Sequence, residues 1–202
     1  MSRASTGRVR RQWLARTMFV LWVPCVLVPC AYFLAGHLLT LPEPEHEALE
    51  RALTQALREQ PVETGLVAIH VLYSACGCSQ RVLRLLERRP PDTEVEEWVW
   101  VVEPELGQLD AVRAAGFRAR GISRAELVER FHVEAAPLFI VAEASGALRY
   151  VGGYTDRKRG PEIRDLDLMA AVGRGETPAS LPLFGCATST RLQARIDPLG
   201  LK

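Results

Sequence analysis

A chain of 202 residues with 48% apolar residues and a formal net charge of +1 suits one globular domain plus an appendage. No long basic patch interrupts the body of the chain, which argues against a nucleic-acid partner. Five cysteines in 202 residues are too few for a disulfide-rich scaffold.

The charge is unevenly placed. Arg3, Arg8, Arg10, Arg11 and Arg16 precede every acid in the chain. Thr17 to Leu41 then carries no formal charge. A helix needs about 20 apolar residues to cross a bilayer core, so this segment is expected to be a transmembrane anchor. The arginines before it predict a cytoplasmic N-terminus. The rest of the chain would then lie across the inner membrane, in the periplasm or its extracytoplasmic equivalent. A cleaved signal peptide is the rival reading, but its apolar core usually runs about 7–15 residues to a small-x-small site. This stretch is longer and offers no convincing site, and Pro29 before Cys30 fits lipoprotein processing poorly. Pro24 and Pro29 are expected to bend the anchor mildly, and Cys25 and Cys30 read as packing residues within it.

Leu41-Pro42-Glu43-Pro44-Glu45 reads as a short linker. Apolar residues at helical spacing predict a first helix over His46 to Glu59, ended by Pro61. Gly65 to Tyr73 is an apolar run that predicts a buried strand. Cys76-Gly77-Cys78 follows, then an amphipathic helix from Ser79 to about Arg89, stopped by Pro90-Pro91. Two thiols therefore stand near a helix N-terminus, where backbone N–H groups and the helix dipole stabilise a thiolate. That is the form of cysteine that exchanges disulfides or binds soft metals. Two ordinary buried cysteines are the bland alternative.

Val95 to Val102 predicts a second strand, in which Trp98 and Trp100 are packing residues. Leu106 to Ala115 predicts a helix, and Gly116 to Gly121 an irregular stretch with a brief strand at Phe117. Ser123 with Glu126 three residues later forms a capping box for a helix to Phe131. Pro137 to Ala142 and Ala147 to Gly152 predict a hairpin around Ala144-Ser145-Gly146. Arg157-Lys158-Arg159 reads as a solvated loop. Pro161 to Gly173 predicts a helix opened by its proline, and Cys186 to Ile196 a last helix. Strands separated by helices imply an α/β sheet covered on both faces.

This order of thiols, strands and a proline-led hairpin resembles the thioredoxin-like superfamily, with its central mixed sheet and helices on both faces. The membrane-anchored TlpA and ResA type looks most similar, and a bacterial group labelled RedB is similar too. Phe131 to Val141 resembles the family's approach to a cis-proline, and Ala144 to Gly153 its hairpin. The likeness covers about residues 60–175 and leaves out the tail from Leu181. The implied organisation is a basic N-terminus (1–16), an anchor (17–41), a linker and first helix (42–60), the thioredoxin-like domain (61–175) and a C-terminal extension (176–202).

The resemblance implies a thiol–disulfide oxidoreductase in which Cys76 attacks, Cys78 resolves and a cis Pro137 helps dock the substrate. No organic cofactor is expected, because cysteine sulfur carries the electrons. The implied partners are thiols or disulfides of exported proteins, and the membrane through the N-terminal helix. The family pattern is Cys-x-x-Cys, whereas the four residues here are Cys76-Gly77-Cys78-Ser79. Cys76 is preferred as the first cysteine, since it ends the strand and is expected to be exposed. If Cys76 and Cys78 pair, the disulfide closes a smaller ring, and strained disulfides are easier to reduce, so the dithiol is expected to be more oxidising than thioredoxin. If they cannot pair, Cys76 works alone through mixed disulfides.

His70 stands where the family carries a buried acid that moves protons, and a histidine can do similar work. A core histidine with a satisfied hydrogen bond is the alternative. Cys186 is either a buried single cysteine or a resolving thiol, if the tail folds back over the site. His132 and Glu134 flank the approach to Pro137. Two other functions stay open. One is a copper- or zinc-binding module, with Cys76, Cys78 and either His70 or Cys186 as ligands. The other is a redox-inactive binding module using the Pro137 face.

Overall fold

The computed structural model describes residues 4–158 and 160–197, with the side chains of 4–12 and 33–38 left aside. Arg3 and Arg159, members of the two basic runs noted above, lie outside the described residues. The chain divides into two compact units, one ending at Leu39 and one beginning at Thr40.

The first unit is a single helix, α1 (Ala4–Leu38). It begins well before the uncharged segment because nothing in the arginine-rich stretch breaks a helix, and it ends at Leu38. Trp13–Tyr32 is long and apolar enough to cross a membrane. Phe19, Trp22 and Leu27 expose 60% or more of their surface, a pattern that suits lipid rather than water. Pro24 and Pro29 both sit inside the helix.

The second unit is built on a five-stranded mixed sheet. Its strands are β1 (Leu66–Tyr73), β2 (Glu96–Val102), β3 (Arg118–Ile122), β5 (Leu138–Glu143) and β6 (Leu148–Gly152), in the order β3-β2-β1-β5-β6. β1 pairs in parallel with β2, and β2 with β3. β5 runs antiparallel to both β1 and β6. A separate two-stranded ribbon joins β4 (Ala135–Ala136) to β7 (Cys186–Ala187).

Alternation along β1 divides the core. Val67, Ile69 and Val71 face one apolar cluster with Trp98 and Trp100. Leu49, Leu53 and Leu57 of α2 (His46–Glu59) close that cluster, with Leu127 and Phe131 of α5 (Arg124–Phe131). Ala68 and Leu72 face the opposite cluster, under Val82, Leu83 and Leu86 of α3 (Gly77–Leu86) and Leu168, Met169 and Val172 of α6 (Asp165–Gly173). Helices thus cover both faces of a mixed sheet, the thioredoxin-like architecture that the resemblance implies. Two short helices complete the unit, α4 (Gln108–Ala114) and α7 (Thr190–Ile196).

Several elements depart from the sequence expectation. β3 is a full edge strand rather than an irregular stretch. Arg118 and Arg120 lie over the rings of Trp98 and Trp100, 4.9 and 5.8 Å from their centroids, so aromatic faces cover an alternation that reads as polar. α3 stops at Leu86, and α6 starts at Asp165, four residues past Pro161. There the carbonyl of Pro161 accepts from Arg81 (2.7 Å), and the N–H of Arg164 donates to Tyr154 (3.0 Å). Leu41 is no linker residue: it is buried, and its N–H donates to the carbonyl of Leu183 at 2.9 Å. Cys186 lies in a strand, not in the last helix, which begins at Thr190.

Candidate functional site

The thiol turn is tied to both elements that it joins. The N–H of Cys76 donates to Tyr73 at the end of β1 (3.0 Å), and the carbonyl of Cys76 accepts from Gln80 in α3 (2.9 Å). Cys76 is thus the N-cap of α3, with extended backbone. Ser79, which stands where the family pattern has its second cysteine, is buried, and its hydroxyl accepts from the N–H of Tyr73 at 3.0 Å. Gln80 donates to the carbonyl of Ser74 at 2.6 Å. A sulfur at position 79 would accept less well from Tyr73, so the serine serves the turn.

Cys76 is fully buried, contrary to the expectation of an exposed thiol. Beside it lie Ala136 and a segment from near the end of the chain that pairs with Ala136. Ala136 and Pro137 are joined by a cis peptide bond, as the resemblance implies. The carbonyl of Ala136 lies 3.7 Å from the Cys76 sulfur, and on its ladder edge Ala136 pairs with Cys186. Gly185 packs so closely here that a Cβ on it would collide with the Ala136 carbonyl and lie 2.6 Å from Cδ of Pro137.

The tail is fastened on either side of Cys186. Ahead of it, the carbonyl of Leu181 accepts from Gly153 (2.7 Å), and Ser180 donates to the carbonyl of Val151 (2.8 Å). After it, the N–H of Thr188 donates to the carbonyl of Glu134 (2.7 Å), and the Glu134 carboxylate pairs with Arg191 (3.0 Å). Glu134 therefore anchors the tail, while His132 caps α5 with left-handed backbone. Cys78 and Cys186 are half-buried. They line a cleft of about 510 Å³ with Gly77, Pro137, Tyr154 and Phe184.

Three thiols are thus brought together, and no disulfide joins any of the five cysteines. A protonated Cys76 donates to the Ala136 carbonyl. As a thiolate it accepts from the side chain of Cys186, then from that of Cys78, and from the N–H groups of Ser79 and Cys78. These bonds outweigh burial and hold the Cys76 thiol well below its usual range. The same bond to Cys76, with burial and the nearby negative charge, pushes the Cys186 thiol up. The N–H groups of Ser79 and Cys78 at the start of α3 favour the thiolate on Cys76.

His70 is wholly buried and takes its hydrogen bonds elsewhere. Its Nδ1 is 3.0 Å from the Tyr154 hydroxyl, and its Nε2 is 2.9 Å from Oε2 of Glu97. Arg89 reaches the two oxygens of Glu97 at 2.9 and 2.6 Å, and Asp165 at 2.7 Å. Neither thiols nor Pro137 are among these partners. Tyr154 connects the two places, since it lines the thiol cleft and bonds His70. His70, Glu97 and Asp165 hold their ligand atoms within 4.8 Å of one another, but Arg89 already supplies the positive charge between the carboxylates.

Sequence reasoning missed Glu97, Arg89, Asp165 and Tyr154. The signal for Glu97 was present: it shares a strand face with Val99 and Val101, which point into the core.

No family model matches the chain, and no curated protein matches it. Among solved structures, it is similar to a hypothetical protein from Sinorhizobium meliloti, at 17% identity and a TM-score of 0.50 over 62% of this chain and 80% of that one. An uncharacterized conserved protein from Geobacillus kaustophilus gives 15% identity and a TM-score of 0.48, over 62% of this chain and 77% of that one. StoA from Bacillus subtilis gives 17% and 0.39, over 54% and 84%. At 17% identity the first likeness is one of fold alone.

Proposed function

We propose that this chain is a membrane-anchored thiol–disulfide oxidoreductase of the TlpA and ResA type, with its thioredoxin-like unit on the extracytoplasmic side. The observation that carries the reading is the environment of the Cys76 sulfur, at the N-terminus of α3 and beside the carbonyl that precedes cis Pro137. A thiolate stabilised there attacks disulfides at neutral pH.

In the reductive direction, the Cys76 thiolate attacks one sulfur of a substrate disulfide. A Cys76–substrate bond forms, and the other substrate sulfur leaves as a thiolate that takes a proton from solvent. A second thiol of the site then attacks the Cys76 sulfur, and Cys78 has that role in the sequence reading. The substrate leaves with both sulfurs reduced, and two site thiols have become a disulfide. An external dithiol returns them to the reduced state. Pro137 lines the cleft beside the thiol turn and helps dock the substrate. His70 can take or return a proton through Tyr154, which faces the same cleft. The substrates are disulfides or thiols of exported proteins, and α1 holds the unit at the membrane.

The test is reduction of insulin disulfides by the full chain in detergent, with dithiothreitol as donor. Turnover above the dithiothreitol background, lost in Cys76→Ser, supports the reading. Turnover that survives Cys76→Ser overturns it.

A further inference from the structure

A dithiol mechanism needs a second sulfur that can reach Cys76 without dismantling the site. Cys78 is a poor candidate. It follows Cys76 by two residues at the start of α3, so although the two side chains meet, a bond between them closes a small ring across the first turn of that helix. A disulfide requires the two Cβ atoms to approach, so closure would pull the first turn of α3 apart. It would also remove the N–H of Cys78 from the Cys76 sulfur.

Cys186 comes from a different segment, and the ladder sets it in place. It pairs with Ala136, whose carbonyl touches the Cys76 sulfur at 3.7 Å. Cys186 also lines the cleft beside the thiol turn, and its side chain is the largest influence holding the Cys76 thiol low. A bond between these two sulfurs joins separate segments rather than two residues of one helical turn.

We propose that Cys186 is the resolving thiol, and that the β7 strand carrying it is a built-in competitor for the Ala135–Ala136 edge beside Cys76. The proposal rests on the oxidoreductase reading and names the second sulfur of that site. Cys76 is fully buried beside the edge that this strand occupies, so in the proposal a substrate disulfide reaches it when the strand lifts. The exposed edge of Ala135–Ala136 then offers backbone groups to any extended peptide.

Attack by Cys76 gives the mixed disulfide. As β7 returns, the Cys186 thiol loses its proton to solvent, and its sulfur attacks Cys76. The Cys76–Cys186 bond forms, the Cys76–substrate bond breaks, and the substrate leaves as a thiolate that takes up a proton. Resolution and release are then one movement, because the returning strand takes the edge that the substrate held.

The test uses the full chain in detergent. The reduced protein is treated with oxidised glutathione, alkylated, digested, and mapped by tandem mass spectrometry. The wild type and Cys78→Ser are both expected to yield a Cys76–Cys186 crosslink. In Cys186→Ser, with its fold checked by circular dichroism, glutathione is expected to persist on Cys76. Its release should slow by about tenfold or more, as an intramolecular attack is lost. A Cys76–Cys78 crosslink with Cys186 alkylated in the wild type overturns this proposal and leaves the oxidoreductase reading standing. No crosslink, and no glutathione on Cys76 in any variant, overturns both.

Discussion

Nε2 of His70 lies 2.9 Å from Oε2 of Glu97, and both side chains are closed to solvent. Burial pushes the Glu97 carboxyl up, but hydrogen bonds from Arg89 and His70 outweigh it and hold the group at about 2. The unfolded value is 4.5. A depressed acid stabilises the folded state above the unfolded value and loses that contribution as pH falls toward the folded one. The loss therefore falls between 4.5 and about 2, and amounts to about 3 kcal/mol. Urea unfolding of the wild type should show this acid-side fall. Glu97→Gln should be less stable by about 3 kcal/mol at neutral pH and should lose most of the fall. An unchanged acid limb in Glu97→Gln would assign it to other groups.

Gly185 leaves no room for a side chain against Ala136 and Pro137. Gly185→Ala should therefore shift the balance toward a lifted tail. A change of about 1.4 kcal/mol in that balance is a factor of ten, so alkylation of Cys76 by iodoacetamide should speed up by about tenfold. Peptide-resolved alkylation rates check it, and an unchanged rate would show that the tail does not gate Cys76.

The bond from Cys186 is the largest influence lowering the Cys76 thiol. An ordinary cysteine titrates near about 8.5. The alkylation rate of Cys76 should thus stay near its plateau to well below that pH. In Cys186→Ala the midpoint should move upward, since the side-chain donor at that position is lost. A stopped-flow pH profile reads both.

Leu53 is completely buried between α2 and the sheet. Leu53→Ala should cost about 2–5 kcal/mol, and Ser123→Ala, which removes the cap accepting from the N–H of Glu126 (3.0 Å), about 1 kcal/mol. Chemical denaturation with an unchanged m-value checks both. A negligible effect at Leu53 would mean that α2 is dispensable to the domain.

The central strands, the capped helix and the hairpin were legible because their apolar patterns match their burial. β1 and β2 are buried on both faces, so their continuous apolar runs give them away. β3 was hidden because Arg118 and Arg120 alternate with Ala119 and Gly121, and the tryptophans that cover them lie on another strand. Of the site, the thiol turn was visible locally, whereas the cis bond before Pro137 was implied by the family resemblance. The burial of Cys76 was not visible, because Ala136 beside it is paired by Gly185-Cys186-Ala187, a segment with no periodicity of its own. A two-residue strand ahead of Thr188-Ser189-Thr190 is easily read as the start of a helix. The partners of His70 were hidden for the same reason: Glu97, Arg89 and Tyr154 come from three separate segments.

The most direct measurement is a thiol count of the full chain in detergent, across glutathione buffers of graded potential, with Cys25 and Cys30 replaced by serine. One reversible transition that consumes two thiols, with the slope of about 30 mV per tenfold change expected of a two-electron couple, and lost in Cys76→Ser, is the predicted result. A thiol count that stays flat across the whole range would contradict thiol–disulfide exchange at this site.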